Sequence, residues 1–285
     1  MTFTAKSKTS IQTDAVRLNS ENPETLADFY QTAIGLKLIK TEGDYFALGT
    51  PNGKVLVELY KTTTPLNENT TGMYHLALLL PTFEDLGTVL RHLLINNVPL
   101  IGASNHGYSN ALYLDDPEGN GIEIYWDRPW DEWDIQDDGT IVGFTKPMDA
   151  DAALDAARTT FNGMPDGTIM GHVHLHVNDV EKAAEFYGDV MGLGLKYKFG
   201  DQAYFFASGN YHHHLGANIW KQGHLEKPDR LAPGIQTVKW LGSENDISYI
   251  EEKLAEQNIG ATKNNDVLVF KDPAGIEHSV SVRQY

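Results

Sequence analysis

This 285-residue chain repeats itself, and that most limits its possible folds. Phe29-Tyr30 stands before Ile34-Gly35-Leu36-Lys37-Leu38. Phe186-Tyr187 stands before Met191-Gly192-Leu193-Gly194-Leu195, with aromatic pair and glycine at the same spacing. Such a repeat implies copies of one supersecondary unit, each unable to bury its apolar face alone. Each copy opens on a short alternating strand, at 15–18 and at 172–177. A helix follows. Pro23 suits a first turn in one copy, and Asn178 or Asp179 suits an N-cap in the other. The Phe-Tyr pair closes the helix's apolar face, and glycine ends it. Strands at 45–48 and 55–60, and at 204–206 and 215–220, complete the two copies.

Two more units keep this order without the Phe-Tyr signature. One has a strand at 75–80, a helix at 83–95 and a last strand at 121–126. The other has a strand at 237–241, a helix at 244–257 and a last strand at 277–282. Ser243 with Asp246 forms a capping pair for that last helix. Each unit carries an Asp-Pro-x-Gly turn before its final strand, Asp116-Pro117-Glu118-Gly119 and Asp272-Pro273-Ala274-Gly275, which is hairpin chemistry. The predicted fold is α+β, four βαβββ modules in two domains. The predicted division is an N-terminal arm at 1–11, a two-module domain at 12–130, a linker at 131–168 and a second two-module domain at 169–285. The acidic, weakly patterned linker holds one short helix near 150–159.

Composition narrows the chemistry. With 22 basic and 39 acidic side chains the net charge is −17, which disfavours nucleic acid and anionic lipid as partners. No Cys is present, so disulfides, thiolate metal sites and a Cys nucleophile are excluded. No apolar run reaches spanning length. The first ten residues lack the apolar core of a secretory signal, so a soluble, cytoplasmic protein is expected. Any metal would need His, Asp or Glu ligands.

Those residue types are unevenly placed. Six of the 11 His lie at 172, 174, 176, 212, 213 and 214. His172, His174 and His176 alternate with apolar residues and so share one strand face. His75 sits among Leu76, Leu78 and Leu80, where a lone His is usually a hydrogen-bonded core residue. Glu123, between Ile122 and Ile124, faces solvent or is buried with a partner, because a lone buried carboxylate is costly. Trp126, Trp130 and Trp133, interleaved with Asp127, Arg128, Asp131, Glu132 and Asp134, read as closing one barrel end.

This pattern resembles the vicinal oxygen chelate superfamily, which includes glyoxalase I, bleomycin-resistance proteins and extradiol dioxygenases. It is most similar to the bacterial catechol 2,3-dioxygenase group. The resemblance implies two glyoxalase-like domains and a metal held between two modules, each offering one position on its first strand and one on its last. Those positions are Ala15 and Glu58, His75 and Glu123, His172 and Asn218, and Gln236 and Glu277. Sequential pairing gives Glu58, His75 and Glu123 at one site and only His172 and Glu277 at the other. Pairing module two with module three gives His75, Glu123 and His172, a two-His, one-carboxylate facial triad. This is the expected metal set.

Tyr113 to Glu123 resembles the extradiol Tyr-x-x-Asp-Pro-x-Gly-Asn-x-x-Glu pattern, which implies that Tyr113 hydrogen-bonds the substrate oxygen. His106-Gly107 resembles the group's second-sphere His-Gly. The acid–base His maps onto His213. Strand parity makes His214 its rival, since it groups His212 and His214 on one face with Asn218. The resemblance thus implies a non-haem Fe(II) extradiol dioxygenase acting on a catechol-type aromatic with O2. Mn(II) or another divalent ion is a substitute, and a homo-oligomer is compatible with it. Two alternatives stand: a glyoxalase-type lyase or isomerase using Glu58, His75 and Glu123, and a metal-free binding or resistance protein. Phe205, Phe206, Trp126 and Trp220 are candidate pocket walls.

Overall fold

In the computed structural model, which describes residues 3–158, 160–221 and 223–284, each module begins where its apolar alternation begins. Module one comprises β1 (Gln12–Ser20), α1 (Pro23–Phe29), β2 (Lys37–Glu42), β3 (Tyr45–Gly49) and β4 (Val55–Lys61). Module two comprises β5 (Gly72–Leu80), α2 (Phe83–Ile95), β6 (Gly102–Asn105), β7 (Ser109–Asp115) and β8 (Gly121–Asp127). The connector holds β9 (Asp134–Ile135), β10 (Ile141–Val142), β11 (Lys146–Pro147) and α3 (Ala150–Ala156). Module three comprises β12 (Ile169–His176), α4 (Val180–Glu185), β13 (Gly194–Phe199), β14 (Ala203–Ala207) and β15 (Leu215–Asn218). Module four comprises β16 (Gly234–Gly242), α5 (Glu244–Glu256), β17 (Ala261–Asn264), β18 (Val267–Lys271) and β19 (Glu277–Val282).

Local chemistry accounts for the helix ends. Pro23 occupies the first turn of α1. Asp179, not Asn178, caps α4 through the amides of Glu181 and Lys182. Ser243 and Asp246 close a full capping box on α5. The Phe-Tyr helices differ from expectation in one respect: both finish in a wide π turn, at Tyr30–Ile34 and at Phe186–Val190. The connector helix is shorter than predicted, and Thr159 at its expected end lies outside the described residues. Periodicity did not reveal β2 and β13, which continue directly from the glycine after each π turn.

The sheets do not follow the two sequential halves. An eight-stranded sheet joins module one to module four, in the order β17-β18-β19-β16-β1-β4-β3-β2. A nine-stranded sheet joins module two to module three, in the order β11-β6-β7-β8-β5-β12-β15-β14-β13. The two central antiparallel contacts are β1 with β16 and β5 with β12. Within the connector, β11 extends the second sheet by pairing with β6.

The halves are instead tied by the two sequence motifs. Tyr30 donates a hydrogen bond to the turn carboxylate Asp116, and Tyr187 donates to Asp272. Each Phe-Tyr pair of an odd module thus grips the Asp-Pro-x-Gly turn of the next even module. Gly119 and Gly275 close these turns at φ +81° and +91°, a left-handed conformation that side chains resist.

Alternation sorts each strand's faces. Leu76, Leu78, Leu80, Ile122 and Ile124 join Leu86, Val89, Leu90 and Leu93 of α2 in the main core. The opposite face of the same strands presents Ala77, Ala111 and Tyr125 as a separate cluster. His75 and Glu123 lie on that inner face. No helix among the described residues is long and apolar enough to cross a membrane.

Candidate metal centre

The β5–β12 junction brings together three sequence-distant residues. His75 and His172 come from the two central strands, and Glu123 comes from β8 beside β5. Glu123 stands opposite Ala77, and Ala77 opposite His172. His75 Nε2 lies 3.3 Å from His172 Nε2. Glu123 Oε2 lies 3.1 Å from His75 Nε2 and 3.2 Å from His172 Nε2. All three side chains are buried. A triangle of that size lets one ion sit about 2.1 Å from every corner, as N and O ligands require, with three adjacent positions left open.

Protonation favours the same role. Burial pushes His172 down to about 4, against the pull of Glu123. Burial would raise Glu123, but the two rings beside it, His172 first, hold it well below the usual carboxylate range. A neutral imidazole at His172 and a carboxylate at Glu123 are forms that ligate. His172 Nδ1 is buried without a partner, so its outer nitrogen lacks the usual second hydrogen bond of a ligating His.

Two of the three, His75 and Glu123, border a cavity of about 370 Å³. Tyr113, His106, His174 and His213 line it, with Phe205, Tyr197 and Trp220 as aromatic wall and Ile101, Phe144 and Phe199 as apolar border. Of the candidate walls, Phe205 and Trp220 are there. Phe206 is fully buried in the core, and Trp126 packs on Phe83 instead. No Lys or Arg borders the cavity among the described residues.

Tyr113 and His106 form a hydrogen-bonded pair. His106 Nδ1 lies 3.0 Å from the Phe144 carbonyl, an acceptor only, so Nδ1 carries a proton. In the neutral ring Nε2 then accepts from the Tyr113 hydroxyl, 2.7 Å away. Burial, with Glu123 next, holds the Tyr113 hydroxyl well above its ordinary range, so it stays protonated.

The structure separates the three adjacent histidines. His213 lies over His172, with ring centroids 4.1 Å apart, and borders the cavity. His214 turns away, its Nδ1 accepting from the Ser208 amide. Strand parity misleads here because β15 begins only at Leu215, so His212 to His214 lie in a loop where alternation does not hold. His212 was not singled out by its chemistry, yet it bonds both Asp127 and His213. Of the Trp cluster, Trp133 packs on His212, centroids 5.3 Å apart.

The other carboxylate candidates lie elsewhere. Glu58 sits in the first sheet, ion-paired to Arg17 at 3.2 Å and Lys239 at 2.7 Å. The set Glu58, His75 and Glu123 is therefore not assembled. Glu277 accepts from the Thr237 hydroxyl, and Asn218 Oδ1 accepts from the Trp220 amide and lies 2.8 Å from His176 Nδ1.

A family model described as the Glyoxalase/Bleomycin resistance protein/Dioxygenase superfamily matches residues 12–124. A second, described as bleomycin resistance protein-like N-terminal, matches residues 169–206. A protein of Bacillus subtilis (strain 168) named catechol-2,3-dioxygenase is 37% identical over 278 residues, covering 93% of this chain and 96% of that relative. A crystal structure of a candidate dioxygenase from Bacillus subtilis aligns over 98% of this chain and 86% of its own, with TM-score 0.64 and 16% identity. Glyoxalase I from Zea mays aligns over 96% and 92%, with TM-score 0.58 and 14% identity. The last two likenesses concern the fold.

Proposed function

Given that the chain belongs to the glyoxalase/bleomycin resistance/dioxygenase superfamily, we propose that it is an extradiol ring-cleaving dioxygenase. Its substrates would be an uncharged catechol-type aromatic and O2. The observation that carries this reading is the buried His75, Glu123 and His172 triangle, whose His75 and Glu123 corners border an aromatic-walled cavity.

The donor set fits a divalent ion of the iron type, with manganese as a substitute. Fe(II) held there would supply a Lewis acid that eases loss of catechol protons, with open positions for two further ligands. The remaining chemistry falls to the chain. Tyr113 keeps its proton, and an incoming substrate oxygen would compete with His106 for it. His213 is held well below the ordinary imidazole range by burial first and by His172 and His212 next. It is therefore neutral and can accept a proton from a substrate hydroxyl. Phe205 and Trp220 exclude water and offer faces to a flat ring.

The cavity's charge supports the choice of substrate. Asp115 and Glu123 are its carboxylates, and among the described residues no Lys or Arg borders it; the ion would balance Glu123 and leave Asp115 as a negative charge at the cavity edge. A carboxylate-bearing catechol would meet like charge. So would glutathione, which weighs against the glyoxalase-type alternative. The test is anaerobic loading with Fe(II), followed by catechol and air. A yellow ring-opened product is expected. No ring opening with several catechols despite stoichiometric iron would overturn the reading, and turnover of methylglyoxal with a thiol would replace it.

A further inference from the structure

Strand β8 puts a second carboxylate on the inner face. Asp127 follows Glu123 by an even interval along the strand, so both point to the same side. Glu123 belongs to the metal triangle, whereas Asp127 Oδ1 lies 2.9 Å from His212 Nε2. His212 Nδ1 lies 2.7 Å from His213 Nδ1. We propose that Asp127 and His212 are positioning residues that fix the tautomer of His213, leaving its Nε2 unprotonated for the cavity.

Donor and acceptor roles propagate along the chain of rings. A carboxylate accepts only, so His212 Nε2 carries a proton. In the neutral ring His212 Nδ1 is then a lone pair. His213 Nδ1 faces that lone pair and must supply the proton between them. A neutral imidazole has one N–H, so the proton on His213 is spent away from the cavity. Its remaining nitrogen is a ready acceptor rather than a donor.

The packing holds this arrangement rigid. Tyr108 stacks on His212 with centroids 4.3 Å apart and planes 13° from parallel. The Tyr125 and Tyr211 hydroxyls are hydrogen-bonded at 2.7 Å on the same inner face. Gly171 makes room for them, since a Cβ there would come within 1.8 Å of the Tyr125 hydroxyl oxygen. An ordinary aspartate and three aromatic side chains thereby select one of two nearly equal imidazole forms.

The tautomer is independent of the reaction, and only its use as a base rests on the extradiol reading. Long-range 15N–1H correlation spectra of the Zn(II)-loaded, 15N-His-labelled protein read it directly. Expected are Nδ1–H on His213 and Nε2–H on His212. Asp127→Ala should give mixed forms of His213. Asp127→Asn, whose amide oxygen still accepts, should restore the single form. A His213 proton on Nε2, or a pattern unaltered in Asp127→Ala, overturns the proposal whatever the activity. With the iron enzyme, Asp127→Ala should lower kcat about 10²–10⁴-fold with little change in KM. It should add nothing in a His213→Phe background. An equal further loss there would make Asp127 merely structural.

Discussion

Glu123 on β8 stands opposite Ala77 on β5, and Glu58 on β4 stands opposite Arg17 on β1. The two carboxylates hold equivalent places in the two sheets, but their surroundings diverge. Across from Ala77 is His172, and across from Arg17 is Thr237. His75, two residues before Ala77, corresponds to Ala15. His75 faces His174 across the junction, whereas Ala15 faces Lys239. One sheet therefore surrounds its carboxylate with imidazoles and no Lys or Arg, so that a cation from outside would balance it. The other supplies that cation from within, through Lys239 and Arg17. Four differences at fixed register separate a candidate ion site from a neutralised structural cluster.

The largest contrast should appear in metal content. His75→Ala or His172→Ala should weaken Fe(II) or Zn(II) binding by more than about 100-fold, beyond what loss of an outer partner costs. Glu58→Gln should leave it unchanged. Metal-to-protein ratios after loading and desalting decide this. A Glu58→Gln protein stripped of metal would break the comparison.

The next effect is acid sensitivity of the metal-free protein. Burial, with His212 next, pushes His214 down to about 3. Its folded value lies below the unfolded 6.5, so the unfolded state takes up the proton first as pH falls. Its stability contribution is complete above about pH 6.5 and declines toward pH 3, by at most about 1.4 kcal/mol per pH unit for one His. Urea unfolding at pH 7, 6 and 5 should show this decline. A His214→Gln variant should lessen the slope, the other buried imidazoles keeping the rest of it, and an unchanged slope in that variant would remove the effect.

The smallest effect belongs to the other sheet. Burial alone would raise Glu58, but Lys239 and then Arg17 reverse this and hold it below the ordinary value. The stability it adds is present above about pH 4.5 and is lost as pH falls through its lower folded value. Because the pair is partly solvated, Glu58→Gln should cost only about 0.5–1 kcal/mol at neutral pH, and less as pH falls below about 4.5. The two sheets would then begin to lose stability at different pH values, near 6.5 and near 4.5, which the paired titrations can resolve.

Much of this was legible in the residues. The repeat, the α2 and α5 helices and the Asp-Pro-x-Gly turns are local, and local periodicity and turn chemistry define them. Alternation also placed Glu123 on the face opposite Ile122 and Ile124. Which sheets form is a non-local matter. Pairing β5 with β12 was one choice among several until the register was seen. The roles of Asp127 and His212 were hidden for a related reason. Their partners are distant in sequence, on a strand end and a loop with no period of their own. The Tyr30–Asp116 and Tyr187–Asp272 ties were half visible, since all four residues stood out as motifs without any sign that they meet.

The crossed pairing of modules has a consequence for how the molecule comes into being. On a ribosome the first half emerges with β1 and β5 complete but without β16 and β12, their central neighbours in the finished sheets. Two long strand edges must wait exposed, a state that invites wrong pairing. The Tyr30–Asp116 tie can already close in that half and hold its two modules together. Glu123 and His75 are present early, yet His172, the third corner of the candidate site, arrives only with β12. Completion of that site is therefore a late event in synthesis, and a truncated first half would be a scaffold without it.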